Sequence, residues 1–121
     1  MFKLVILIEP QTDWLKFEQS WPQFLRQAEK MPGLIREATS PIHNKVHGNL
    51  DISMIHELFF ESRSALQEAM SSTEGQEAGQ ILQRITEGKV TLVFADHLED
   101  ELANIKSFIK PENDGPPGDR A

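Results

Sequence analysis

Phe2-Lys3-Leu4-Val5-Ile6-Leu7-Ile8 is the one strongly apolar run in this 121-residue chain. It is rich in β-branched residues and stops at Glu9-Pro10. A bilayer-spanning helix needs about 20 apolar residues, so the run is too short to be one. It also lacks the small-residue cleavage pattern of a signal peptide. It reads as a strand buried on both faces, and the chain is expected to be cytoplasmic. Two further runs read as strands, Ser53–Phe60 (SMIHELFF) and Lys89–Ala95 (KVTLVFA). A weaker strand over Leu34–Val46 is broken at Ser40-Pro41, and proline belongs on an edge strand or at a bulge. His47-Gly48-Asn49-Leu50-Asp51 reads as a hairpin connection between it and the third strand.

Helices fill the gaps between these strands. After Thr12 or Asp13 as a cap, Trp14, Phe17, Trp21, Phe24, Ala28 and Met31 recur at spacings of three and four and form one apolar face. Pro22 predicts a kink or a restart within that helix, and Pro32-Gly33 ends it. Ser62 is placed to cap a helix through Met70. Thr73 and Gln76 have capping-box spacing for the next helix, which carries Ala78, Ile81, Leu82 and Ile85 on one face and stops at Gly88. Leu98, Leu102, Ile105 and Ile109 predict an amphipathic helix over 98–110, and the Pro/Gly/Asp-rich stretch 111–121 reads as a disordered tail.

The order strand, helix, strand, strand, helix, strand, with right-handed crossovers, is an α+β ferredoxin-like βαββαβ sandwich over residues 1–97 with an antiparallel four-stranded sheet. Side chains alternate across a strand. Phe2, Leu4, Ile6 and Ile8 share one face, expected to hold Met54, His56, Leu58 and Phe60 and also Val90, Leu92 and Phe94. That face should meet the helices. The opposite face holds Lys3, Val5, Leu7, Ile55, Glu57, Phe59, Thr91, Val93 and Ala95, too apolar for an open sheet surface. A second copy of the chain, sheet against sheet, would cover it with an ordinary interface of about 800 Å² per subunit. The alternative cover is the C-terminal helix of the same chain.

Composition removes several functions. The formal net charge of −7 disfavours nucleic acid and anionic membranes as partners. With no cysteine there is no thiolate nucleophile, disulfide or cysteine-based metal site. The glycines form no phosphate-binding loop, and no GxSxG is present, so no nucleotide cofactor is expected. His43 and His47 would lie about 13 Å apart on a strand, too far to share one ion, and no metal is expected. Both read as solvated, and His97 has no evident partner.

Phe17-x-x-x-Trp21 runs into Met31-Pro32-Gly33-Leu34; Glu57-Leu58-Phe59-Phe60-Glu61-Ser62 runs from strand into helix; Ser72-Thr73-Glu74-Gly75-Gln76 follows. In this order and spacing the motifs resemble the EthD family of dimeric α/β-barrel proteins, named for a component associated with ethyl tert-butyl ether degradation. The resemblance covers about residues 2–97. It implies a homodimer with a pocket between helices and sheet, and kinship with cofactor-independent monooxygenases and isomerases. Many relatives carry a His-x-Pro near the middle of the first helix. Here Pro22-Gln23-Phe24-Leu25-Arg26-Gln27 follows Trp21 and that histidine is absent, which puts histidine catalysis on that helix in doubt.

His56, on the helix side of a central strand, is the candidate proton-transfer group, against the alternative of a structural imidazole. Glu57 is a second catalytic candidate, against pairing with Lys3. Trp14, Phe17, Trp21, Phe24, Met54 and Leu58 are the candidate walls of a pocket for a small apolar or aromatic ligand, against plain core. Two functions follow: an enzyme working by proton transfer without a bound cofactor, or a non-catalytic dimer that binds a ligand or a protein.

Overall fold

The computed structural model describes residues 1–103. The chain runs β1 (Phe2–Ile8), α1 (Trp14–Ala28), β2 (Arg36–Pro41), β3 (Met54–Phe60), α2 (Arg63–Ser71), α3 (Thr73–Thr86) and β4 (Val90–Asp96). The four strands form one antiparallel sheet in the order β2-β3-β1-β4. This is the ferredoxin-like arrangement, with the second helical stretch divided into α2 and α3.

Local chemistry sets the ends of the elements. Asp13 caps α1 by accepting from the Lys16 N–H, and Ser62 caps α2 by accepting from the Ala65 N–H. The cap of α3 is Ser72, whose Oγ accepts from the Gly75 N–H, and not Thr73. Moving the cap back one residue lets Ser72 serve both helices, because its hydroxyl also donates to the Ala69 carbonyl at the end of α2. Helix α1 runs without a restart through Pro22. The proline costs one helical hydrogen bond, and the burial of Phe17, Phe24 and Ala28 on either side of it offsets that loss. At the end of α3, Glu87 (φ 53°) and Gly88 (φ 78°) both adopt left-handed backbone, and their N–H groups return to Arg84 and Gln83.

Registers align Ile6 with His56 and Leu92, and Leu4 with Leu58 and Phe94, so the expected faces are formed. Leu4, Ile6, Ile8, Met54, Leu58 and Phe60 are buried in one cluster with Phe17, Phe24, Leu66 and Leu82. Burying a side chain the size of Phe24 contributes about 1.5–3 kcal/mol. On β4 the expectation fails in part. Leu92 and Phe94 lie on the helix side yet remain 38% and 49% exposed. The helix layer sits over the central strands, with α2 against β1 and β3. Phe94 at the sheet edge finds the Phe2 ring, 6.3 Å away.

The opposite face is half-buried along β1 and open along β4. At one end the chain beyond β4 crosses it. The His97 N–H donates to the Met1 carbonyl, its ring stands edge-on to Phe59 at 4.8 Å, and Glu99 reaches Arg36 of β2. The Arg36 guanidinium lies 4.3 Å from the same Phe59 ring, which is only 3% exposed. Of the expected 98–110 helix, residues 98–101 have no regular structure and the part beyond residue 103 lies outside the described residues, as does the 111–121 tail.

The α2–α3 junction gives a stability test. A Cβ on Gly75 would lie 2.0 Å from the Ala69 carbonyl oxygen and 3.0 Å from Met70 Cα, both backbone atoms, whereas one on Gly79 would meet nothing within 4 Å. Gly75→Ala is expected to destabilise the fold by about 2 kcal/mol or more, and Gly79→Ala to stabilise it by roughly 0.5–1 kcal/mol. Paired urea titrations check this, and equal midpoints for the two variants would refute the close approach.

Candidate functional site

A concavity of about 730 Å³ lies between the N-terminal half of α1 and the long β2–β3 connection. Its α1 side is built by the three-and-four spacing of Trp14, Phe17 and Trp21, with Glu18 on the flank. The rings stand in a row, with centroids 4.9 Å apart for Trp14–Phe17 and 5.4 Å for Phe17–Trp21. The facing side is Pro41, Ile42, Leu50, Ile52 and Met54, with His43, Asn44, Lys45, Asp51 and Ser53 as its polar members. Lys45 and Asp51 form an ion pair at 2.9 Å that ties the two ends of the connection together. The result is a slot with one aromatic wall, one largely aliphatic wall and a polar rim.

Four of the six residues expected as pocket wall line this slot: Trp14, Phe17, Trp21 and Met54. Phe24 and Leu58 do not. They are core, because the aromatic row continues past the slot and Phe24 packs 5.0 Å from Trp21 on the buried side. The slot opens against the β2–β3 connection, not between the helices and the middle of the sheet.

His56 is 1% exposed and does not reach the slot. Trp21 stands between them, with the imidazole edge-on to its indole at 5.2 Å. Both ring nitrogens are engaged by side chains of β2: Nδ1 with Thr39 Oγ1 at 2.8 Å and Nε2 with Glu37 Oε1 at 3.0 Å. The ring expected to transfer a proton therefore does not line the slot, and its nitrogens are turned to β2. Glu57 points to the opposite face and pairs with Lys3. His43, read from sequence as solvated, is exposed and also lines the slot.

Glu37 and Thr39 were not singled out from the sequence. They face His56 because β2 pairs with β3 so that Thr39 is opposite His56 and Glu37 opposite Leu58. Only that register reveals them. Burial, and then the hydrogen bond and negative charge of Glu29 at the end of α1, raise the Glu37 carboxyl to about 7. Burial lowers His56 to about 4, against the opposing pull of the Glu57 and Glu29 charges. An ion pair would shift the two groups the other way, so desolvation outweighs pairing and the imidazole is neutral. With Glu37 ionised, Nε2–H donates to it and Nδ1 accepts from the Thr39 hydroxyl. Every buried side-chain nitrogen and oxygen among the described residues has a partner. Among those residues no three histidine, aspartate or glutamate side chains are grouped to hold a metal ion, and no helix is long and apolar enough to cross a membrane.

The sequence matches no family model and no curated protein. Solved structures do match. An EthD-family protein of Bacillus halodurans superposes with a TM-score of 0.75 at 23% identity, over 81% of this chain and 99% of its own. The chain shares the EthD-type fold. SnoaB, a cofactor-independent oxygenase of Streptomyces nogalater, gives 0.63 at 12% identity, over 84% of this chain and 96% of its own. A dimeric ferredoxin-like protein of unknown function from Jannaschia gives 0.61 at 15%, over 79% and 98%.

The buried Glu37–His56 pair has a pH signature. Between about 4.5 and 6.5 the unfolded chain carries the extra proton on histidine and the folded chain carries it on Glu37. Histidine alone would make stability rise with pH from about 4 to 6.5, and Glu37 alone would make it fall from about 4.5 to 7. The two slopes cancel, so stability of the native protein is expected to vary little across pH 4.5–6.5 from this pair. Glu37→Gln should unmask the histidine slope, with midpoints in urea climbing as pH rises through that window. A variant whose stability tracks the native protein's at every pH would show that the pair does not divide the proton this way.

Proposed function

We propose that the protein binds a small, largely apolar or aromatic molecule in the α1 slot and acts on it as a cofactor-independent enzyme of the monooxygenase or isomerase type, working as a homodimer. The observation that carries this reading is the slot itself. Its volume of about 730 Å³ falls within the roughly 300–1,000 Å³ of small-molecule sites. The aromatic row supplies an apolar, polarisable wall for a planar ligand. The polar rim fixes one end of a ligand and leaves the other in an apolar environment. SnoaB, which has this fold, is a cofactor-independent oxygenase, and that likeness supports the choice of chemistry as an analogy of fold.

The group placed to exchange a proton with a bound molecule is His43 on the wall. His56 acts one layer behind, as a positioning residue that holds Trp21. The sealing of His56 favours a second reading, a dimer that binds the same ligand without turnover. The homodimer is supported by the apolar Val5, Leu7, Ile55 and Val93 on the sheet face away from the helices, and by a dimeric neighbour of the same fold.

Both tryptophans of the chain, Trp14 and Trp21, line the slot, so their fluorescence reports on it. Titration with phenolic or lactone compounds is expected to change that fluorescence saturably. Leu50→Arg, at an exposed wall position, should weaken binding about ten-fold or more by placing a charge in the slot. Product formation without added metal or flavin, lost in His43→Ala while binding persists, is the enzyme outcome. Saturable binding with no product supports the second reading, and no binding by any compound removes both. For the dimer, Val93→Lys is expected to halve the mass measured by light scattering, and a monomeric native protein would refute it.

A further inference from the structure

The slot carries an unbalanced charge. Lys45 and Asp51 neutralise each other at 2.9 Å. Glu18, on the aromatic side, has no hydrogen bond or ion pair with any described residue. It lies four residues after Trp14 and three before Trp21, so on the helix it flanks both indoles. Trp14 and Trp21 are half-buried, with part of their surface turned to the slot. A carboxylate beside two partly open indoles is an arrangement that attracts an organic cation. The π surface stabilises positive charge, and the carboxylate adds a charge-assisted hydrogen bond.

We infer that the molecule taken by the slot carries a positively charged nitrogen next to its apolar or aromatic body: an arylalkyl amine, or a small organic cation of similar size. This rests on the small-molecule reading above and narrows it to a ligand class. The rest of the wall fits. A planar ring lies between the α1 rings and the aliphatic side of the β2–β3 connection, and the ammonium projects toward Glu18. The excess of nineteen acidic over twelve basic residues favours the approach of cations and opposes that of anions.

Three ligands of one shape decide the matter: 2-(2-naphthyl)ethylammonium, 2-(2-naphthyl)ethanol and 2-naphthylacetate. Nitrogen-15 correlation spectra of the full chain show the two indole N–H signals, and their shifts give the affinity of each compound. The ammonium compound is expected to bind about five-fold or more tightly than the alcohol, and the carboxylate more weakly than either. In Glu18→Gln the ammonium-over-alcohol preference should fall to about two-fold or less. Because Glu18 is exposed, the variant is expected to fold as the native chain does, and an unchanged urea midpoint verifies that. If all three bind equally, or the carboxylate binds best, the cation assignment is overturned and the small-molecule reading survives. If none shifts the indole signals, both are overturned.

Discussion

The position of Trp21 governs the rest of this molecule. Its ring belongs to two environments at once: one side faces the slot, and the other meets Phe24 at 5.0 Å and the edge of His56 at 5.2 Å. The helix can hold that ring in place only because α1 is anchored on both sides of Pro22 by the buried Phe17, Phe24 and Ala28. Loss of order there would propagate in two directions, into the sheet through His56 and into the slot through the aromatic row. Core and site are therefore one packing problem, and the row Trp14, Phe17, Trp21, Phe24 changes from wall to interior along its length.

Behind Trp21 the protein buries polar groups in the middle of an apolar face. Such groups are costly unless fully satisfied. The solution is geometric. β2 is an edge strand, so Glu37 and Thr39 can face His56 while Glu37 keeps contact with Glu29 at the end of α1. The network ties the helix end, the edge strand and the central strand together with directional bonds. Apolar packing alone would let a short edge strand slip, whereas a bond to each imidazole nitrogen fixes which β2 residues stand opposite β3. The same groups hold one titrating proton between them in the mildly acidic range, on the raised carboxyl and not on the lowered imidazole to which it is hydrogen-bonded.

Much of this architecture is written in short-range patterns. The strands Phe2–Ile8 and Met54–Phe60, the α1 aromatic face and the Asp13 and Ser62 caps follow from period and from cap chemistry. What the chain does not write locally is distance across the fold. The 42–53 connection is too long for a turn type to dictate register, so nothing in the sequence near His56 points to Thr39 or Glu37. The same connection folds back over α1 and brings His43 and Leu50 to the slot, which a strand reading of Leu34–Val46 could not foresee. Leu92 and Phe94 were legible as apolar and facing the helices, but how far the helix layer extends over the sheet is a property of helix placement, not of strand parity.

The outer sheet face shows how a partial cover shapes what remains. His97 and Arg36 both pack against Phe59 at one end, and Glu99 joins them, so the ring is removed from water by β2 and the chain's own extension together. The cover stops there. Val5, Leu7 and Ile55 stay half-buried and Val93 exposed, all displaced along the strands from Phe59. A large ring left open at the end of a sheet invites contacts in any orientation, whereas aliphatic side chains in the pleat present a flat, self-complementary surface suited to a twofold axis. By covering the ring with charged and imidazole groups, the extension leaves the aliphatic middle as the uncovered apolar part of the face. Glu57, opposite Val5 in register, would be a lone charge in that middle, and its pairing with Lys3 supplies the partner that a half-buried carboxylate there requires.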